Sequence, residues 1–161
     1  MSETVQPLSP QEERLWRAVN RVLFVLPKAL DQDLQQFTGL NSSRYGVLFN
    51  LSEAPGRTLR MNDLAEATAL SASRVSRVVD DLQAQGYVER SPAVGDGRGF
   101  LATLTPQGRQ RLEDAWPAHL ASARRRVMGH VSQTRIDLAG LTELLERIVE
   151  SARDVKPGPS A

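Results

Sequence analysis

Ser73, Arg74, Ser76 and Arg77 bring two hydroxyls and two guanidiniums into one short stretch of chain. Those groups bind phosphate oxygens and base edges of nucleic acid. On a helical wheel at about 100° per residue, Val75, Val78, Val79 and Leu82 make one narrow apolar stripe. Ser73, Arg77, Asp80 and Ala84 then fall on the opposite face, with Ser76 on one flank and Arg74 and Asp81 on the other. The spacing therefore exposes Ser73, Arg74, Ser76 and Arg77 on the N-terminal half of a helix. The competing reading is a solvated face that carries two arginines by chance. Asp80 and Asp81 also face outward and would repel phosphate. They can also pair along the helix, Asp80 with Arg77 or Ser76 and Asp81 with Arg77, which would order Arg77 for docking, so the acids favour neither reading.

A second candidate is Arg98, set between Gly97 and Gly99 and two residues after Asp96. A glycine-rich hairpin tip with one arginine can enter a minor groove, where the potential is most negative. The Asp96 carboxylate can accept from Arg98 or from backbone N–H groups of the turn. A plain turn is the alternative. A phosphate-cradling loop fits less well, because this segment leads into a strand and such loops precede a helix.

Other chemistries find little support. The chain has no cysteine, which removes disulfides, cysteine-bound zinc and thiol redox sensing. Its histidines are His119 and His130, neither marked as part of a triad, and no Walker loop or dinucleotide fingerprint appears. Glu113, Asp114 and His119 are near in sequence, but Glu113 and His119 do not share one helix face. They are expected to be solvated surface residues, with no metal and no cofactor. An enzyme is not expected.

The elements that must position these residues can be read in order. Ser9, Pro10 and Glu12 start a helix by a capping box. Leu15, Trp16, Val19, Val22, Leu23, Leu26 and Leu30 form its stripe, it ends at Gly39, and Pro27 is expected to kink or split it. Asn41–Glu53 reads as a second helix with Tyr45, Leu48, Phe49 and Leu51 inward. A third starts near Met61, and a fourth runs from Ser71 to Gln85, with Gly86 in the left-handed position. Strands are expected at Tyr87–Arg90 and Phe100–Leu104. Thr105 and Pro106 start a long helix towards Gly129, with Pro117 as a second kink. Ser132 is expected to cap a last helix carrying Ile136, Leu138, Leu141, Leu144, Leu145, Ile148 and Val149. The short link at Ala69–Ser71 gives helix-turn-helix geometry.

The composition is that of a globular protein, with 40% apolar and 24% charged residues, and the net charge of +1 neither favours nor excludes a nucleic-acid partner. Only Lys28 and Lys156 are lysines among 20 basic residues, a bias that GC-rich coding would also produce. The first residues lack signal-peptide character, and no apolar run reaches the ~20 residues of a membrane span. A cytoplasmic protein without membrane contact is expected.

The order and spacing of several motifs resemble the MarR family: Leu64-Ala65-Glu66, the run from Leu70 to Leu82, Gly86-Tyr87-Val88-Glu89-Arg90, Asp96-Gly97-Arg98, and Leu104-Thr105-Pro106-Gln107-Gly108. The resemblance extends over residues 9–152 and is strongest from Leu64 to Gly108. It implies a mainly α fold with a small β-hairpin wing, a winged helix-turn-helix joined to a helical dimerisation region. The organisation it implies is one MarR-type domain over residues 1–161. Residues 9–38 and 106–152 supply dimerisation helices, 41–105 the winged helix-turn-helix, and 154–161 a disordered tail. Leu15, Trp16, Val19, Leu144, Leu145 and Ile148 are then candidates for the dimer interface. Arg98 would enter the minor groove, held by Asp96.

The resemblance also implies a small-molecule pocket between the dimer helices and each DNA-binding lobe. Tyr45, Phe49 and Trp116 are candidate lining residues, with ordinary core packing as the alternative. Expected partners are double-stranded operator DNA, a second copy of the chain and a small-molecule effector. The expected function is that of a ligand-responsive repressor on a pseudo-palindromic operator; the rival is a helical protein-interaction module without specific DNA binding. The sequence departs from the common pattern at Ala69, where helix-turn-helix turns often carry glycine, and at Arg60, where a capping hydroxyl often starts the third helix.

Overall fold

The computed structural model describes residues 6–93 and 99–153. The chain divides into two compact units, the first ending at Arg126 and the second starting at Val127.

In the first unit, α1 spans Pro10–Thr38. The Ser9 hydroxyl accepts from the Glu12 N–H while the Glu12 carboxylate accepts from the Ser9 N–H, the reciprocal cap read from the sequence. The expected split at Pro27 does not occur, and α1 runs through it as one element. Proline removes a single N–H donor there, and the residues before it are exposed to water that can satisfy the freed carbonyl. Gly39 at φ 71° closes the helix.

Helix α2, Ser42–Glu53, is capped by Asn41 through the Arg44 N–H. A short 3-10 turn at Pro55–Arg57 leads into β1, Thr58–Arg60, a strand the sequence reading did not anticipate. Its three residues are too few to show alternation. Helices α3, Met61–Thr68, and α4, Ala72–Ala84, follow. Arg60 precedes α3 without a side-chain cap, whereas the Ser71 hydroxyl accepts from the Arg74 N–H to cap α4. Gly86 takes φ 75°, as expected after α4. Strands β2, Val88–Pro92, and β3, Phe100–Leu104, complete an antiparallel sheet of order β1-β3-β2. The register sets Arg60 opposite Leu101, and Arg90 opposite Ala102.

Helix α5, Pro106–Ala123, continues through Pro117 into a π-helical turn at Arg124–Met128. The Thr105 hydroxyl accepts from the Gly108 N–H and donates to the Gly86 carbonyl at 2.7 Å, so one side chain caps α5 and ties it to the end of α4. The core packs Val47, Leu48 and Leu51 of α2 with Leu64, Val75, Val79, Leu82 and Ala102, and Leu112 and Ala115 of α5 are buried in the same cluster. Asp33 of α1 is a buried carboxylate. It accepts from the Ser122 hydroxyl at 2.6 Å and from the guanidiniums of Arg125 at 3.0 Å and Arg126 at 2.9 Å. These bonds fasten the end of α5 to α1 and hold the Asp33 carboxyl far below the usual carboxylate range, Arg126 contributing most and burial opposing it.

The second unit contains α6, Gly129–Val131, and α7, Leu138–Arg153. Ser132 does not cap the last helix; its hydroxyl donates back to the Gly129 carbonyl. Asp137 takes the capping position, its carboxylate accepting from the N–H groups of Ala139 and Gly140. Ile136 therefore precedes the helix. Among the described residues, no helix is long and apolar enough to cross a membrane.

Candidate nucleic-acid interface

Helix α4 holds its position by burying Val75, Val78, Val79 and Leu82, the stripe read from the sequence. Its other face carries the candidate contact residues. The Ser73 hydroxyl lies 3.3 Å from that of Ser71, and the Arg74 guanidinium donates to the Ser43 hydroxyl at the start of α2 at 3.1 Å. Arg77 is exposed and makes no side-chain hydrogen bond or ion pair among the described residues.

The two acids on α4 do not take the partner open to them along their own helix. Neither pairs with Arg77. Asp80 takes Arg90 of β2 at 3.0 Å, and Asp81 takes Arg44 of α2 at 3.0 Å. Tertiary partners reach these carboxylates because α4 packs between α2 and the sheet. Both aspartates remain more than half exposed, so the pairs add little stability. Their effect is local: each negative charge is offset by an arginine from another element, and Arg77 keeps its donors.

Arg90 also lies over the Phe100 ring, 4.2 Å from the centroid, a cation–π contact across β2 and β3. Beside it a cleft of about 360 Å³ opens between the start of α3, the Ala72–Ser76 turn of α4 and the wing strands at Arg90 and Phe100. Sequence reasoning did not single out Arg90 or this cleft. The Glu89-Arg90 dipeptide was visible, but its partners lie on other elements. The wing residues Asp96 and Arg98 lie outside the described residues.

Tyr45 and Phe49 of α2 and Trp116 of α5 do come together, joined by His119. The Tyr45 and His119 rings stack at 4.6 Å between centroids, and Phe49 and Trp116 are nearly parallel at 6.3 Å. His119 is therefore part of a ring group and not the surface residue expected. Its signal was the spacing of Trp116 and His119 on one helical face. Burial lowers the His119 pKa and raises that of Tyr45 to about 12, in both cases by disfavouring the charged form. The Tyr45 hydroxyl is enclosed without a hydrogen-bond partner among the described residues. Glu113 pairs with Arg109, and Asp114 accepts from the Gln110 amide. Among the described residues, no cluster of His, Asp or Glu could hold a metal ion.

Leu15, Trp16 and Val19 of α1 are exposed, Leu15 at 65% and Trp16 at 56%. Leu144, Leu145 and Ile148 of α7 are exposed as well.

A sequence profile of the MarR family matches residues 38–99, from the end of α1 to the wing. AbsC, a MarR family transcriptional regulator from Streptomyces coelicolor, is 36% identical, the match covering 92% of this chain and 99% of AbsC with a TM-score of 0.78. Sco3205, another MarR family transcriptional regulator from Streptomyces coelicolor, was solved in complex with DNA. It is 30% identical over 98% of this chain and 96% of its own, with a TM-score of 0.80. YetL, an HTH-type transcriptional repressor of Bacillus subtilis (strain 168), is 26% identical over 131 residues, 78% of each chain. With the helix-turn-helix, the winged sheet and likeness over nearly the whole length in agreement, the chain belongs to the MarR family of transcriptional regulators.

Proposed function

We propose that this regulator is a repressor that binds a pseudo-palindromic operator as a homodimer, with α4 in the major groove and the wing in the adjacent minor groove. The observation that carries the reading is the outer face of α4. Among the described residues Arg77 is unengaged there, and the neighbouring acids are tied to Arg90 and Arg44. Ser73, Arg74, Ser76 and Arg77 make the base and phosphate contacts, and Arg98, oriented by Asp96, reaches into the minor groove. Support comes from Sco3205, whose structure holds DNA, and from the repressor name of YetL. Such a regulator acts in the cytoplasm, on operator DNA, without catalysis.

The homodimer is supported by the apolar residues that α1 and α7 leave exposed, among them Leu15, Trp16, Val19, Leu144, Leu145 and Ile148. Soluble proteins seldom expose apolar patches of that extent without a partner. A small-molecule effector is supported by the ring group of Tyr45, Phe49, Trp116 and His119, of which Phe49 and Trp116 are part-exposed. Its test is displacement of the protein from DNA by small phenolic and antibiotic-like compounds, abolished by Trp116→Ala.

The DNA reading is tested by selecting duplexes from a random library and measuring binding by fluorescence anisotropy. The wild type enriches a two-fold sequence, and Arg77→Ala costs on the order of 1–3 kcal/mol on it with altered preference at one position. Equal affinity of wild type and Arg77→Ala, with the same selected sequence, would refute the assignment.

A further inference from the structure

The cleft beside Arg90 has a lining divided by chemistry. Met61, Ala72 and Phe100 offer apolar surface, while Asn62, Ser76 and Arg90 offer donors. Asn62 and Ser76 make no side-chain hydrogen bond among the described residues. Arg90 is already fixed by Asp80 and by the Phe100 ring, so little side-chain freedom is left to lose on binding.

A helix in the major groove and a hairpin in the neighbouring minor groove stand on opposite sides of one sugar–phosphate ridge. That ridge must cross whatever lies between them. In this protein the cleft lies between α4 and the wing strands. A phosphodiester accepts hydrogen bonds and carries negative charge, and the deoxyribose beside it presents C–H surface. Both halves of the lining match.

We propose that this cleft seats one phosphodiester of each operator half-site. Asn62 and Ser76 donate to its oxygens, Arg90 supplies a fixed positive charge, and Met61 and Phe100 cover the sugar. The inference rests on the DNA-binding reading above and extends it to the first turn of α3 and to the base of the wing. Asp80 offsets part of the Arg90 charge, so the seat acts through aimed donors as much as through net charge.

The test is a walk of single methylphosphonate substitutions, which remove one backbone charge at a time, along the duplex selected by the wild type. One position per half-site, on the ridge between the major-groove bases and the flanking minor groove, weakens wild-type binding about tenfold. Asn62→Ala weakens binding to the unmodified duplex several-fold and does so equally on a scrambled duplex, because a phosphate contact carries no sequence information. At the sensitive position, the methylphosphonate then adds little further loss in Asn62→Ala. Ser76→Ala shows the same non-additivity. The proposal is overturned if no ridge position is sensitive in the wild type. It is equally overturned if the mutant and backbone penalties multiply in full for both variants. A wild type that prefers no duplex over a scrambled one would instead remove the DNA reading itself.

Discussion

Ala69 sits in the turn between α3 and α4 with φ 53° and ψ 30°. A left-handed conformation costs an L-residue about 1–2 kcal/mol. Glycine would relieve that strain while losing about 0.5–1 kcal/mol in backbone entropy. Ala69→Gly should therefore raise stability by up to about 1 kcal/mol, read as a higher urea midpoint with an unchanged slope. A lower midpoint would contradict the strain. Tyr45 makes the reverse point, since its buried hydroxyl has no partner among the described residues. Tyr45→Phe should be neutral or stabilising, because an unsatisfied buried polar group costs about 1–3 kcal/mol. Asp33 gives a pH dependence of definite sign. Its folded pKa is depressed, chiefly by the Arg126 bond. Its contribution is thus complete above the unfolded value of about 3.9 and is lost as pH falls below that towards the folded value. Asp33→Asn should be less stable than wild type at pH 7, and the difference should shrink below about pH 4. A constant gap across that range in urea titrations would rule out the charged clamp.

At the scale of elements, what was legible in the sequence is what depends on near neighbours. The Val75–Leu82 stripe, the Ser9 and Thr105 caps, Gly39 and Gly86 all rest on residues within a turn of one another, and each stands as expected. What escaped depends on distant partners. The spacing of Asp80 and Asp81 shows only the partners within reach on their own helix, whereas their arginines come from β2 and α2. Asp33 finds Ser122, Arg125 and Arg126 across the first unit, a relation no spacing in the sequence encodes. The Thr105-to-Gly108 motif was visible, but its physical reason was not. A Cβ on Gly108 would overlap the Tyr87 carbonyl oxygen and crowd the Leu104 side chain. Gly108 is therefore what lets the first turn of α5 lie against the start of the wing. Gly108→Ala should cost about 3 kcal/mol or more or prevent folding, against a small change for the exposed Gln110→Ala. A Gly108→Ala protein with wild-type thermal stability would show that this approach is not close.

For the molecule as a whole, α4 presents arginines outward while α1 and α7 each leave large apolar residues exposed. Covering them with a second chain predicts a dimer by sedimentation at micromolar concentration; Trp16→Glu should shift it towards monomer and weaken operator binding together. A Trp16→Glu protein that stays dimeric would remove Trp16 from the interface. Two chains gripping one duplex should also give a steep loss of affinity with salt, since each phosphate contact releases condensed counterions. The most direct test of the central claim is the distance between half-sites. Recognition helices related by a two-fold axis read sites about 10 bp apart on one face of the duplex. Inserting 5 bp between the half-sites of the selected operator turns one of them to the opposite face. Affinity should then fall to that of a scrambled duplex, and raising the protein concentration should not restore a specific complex of two chains. Specific binding that survives the insertion undiminished would contradict it.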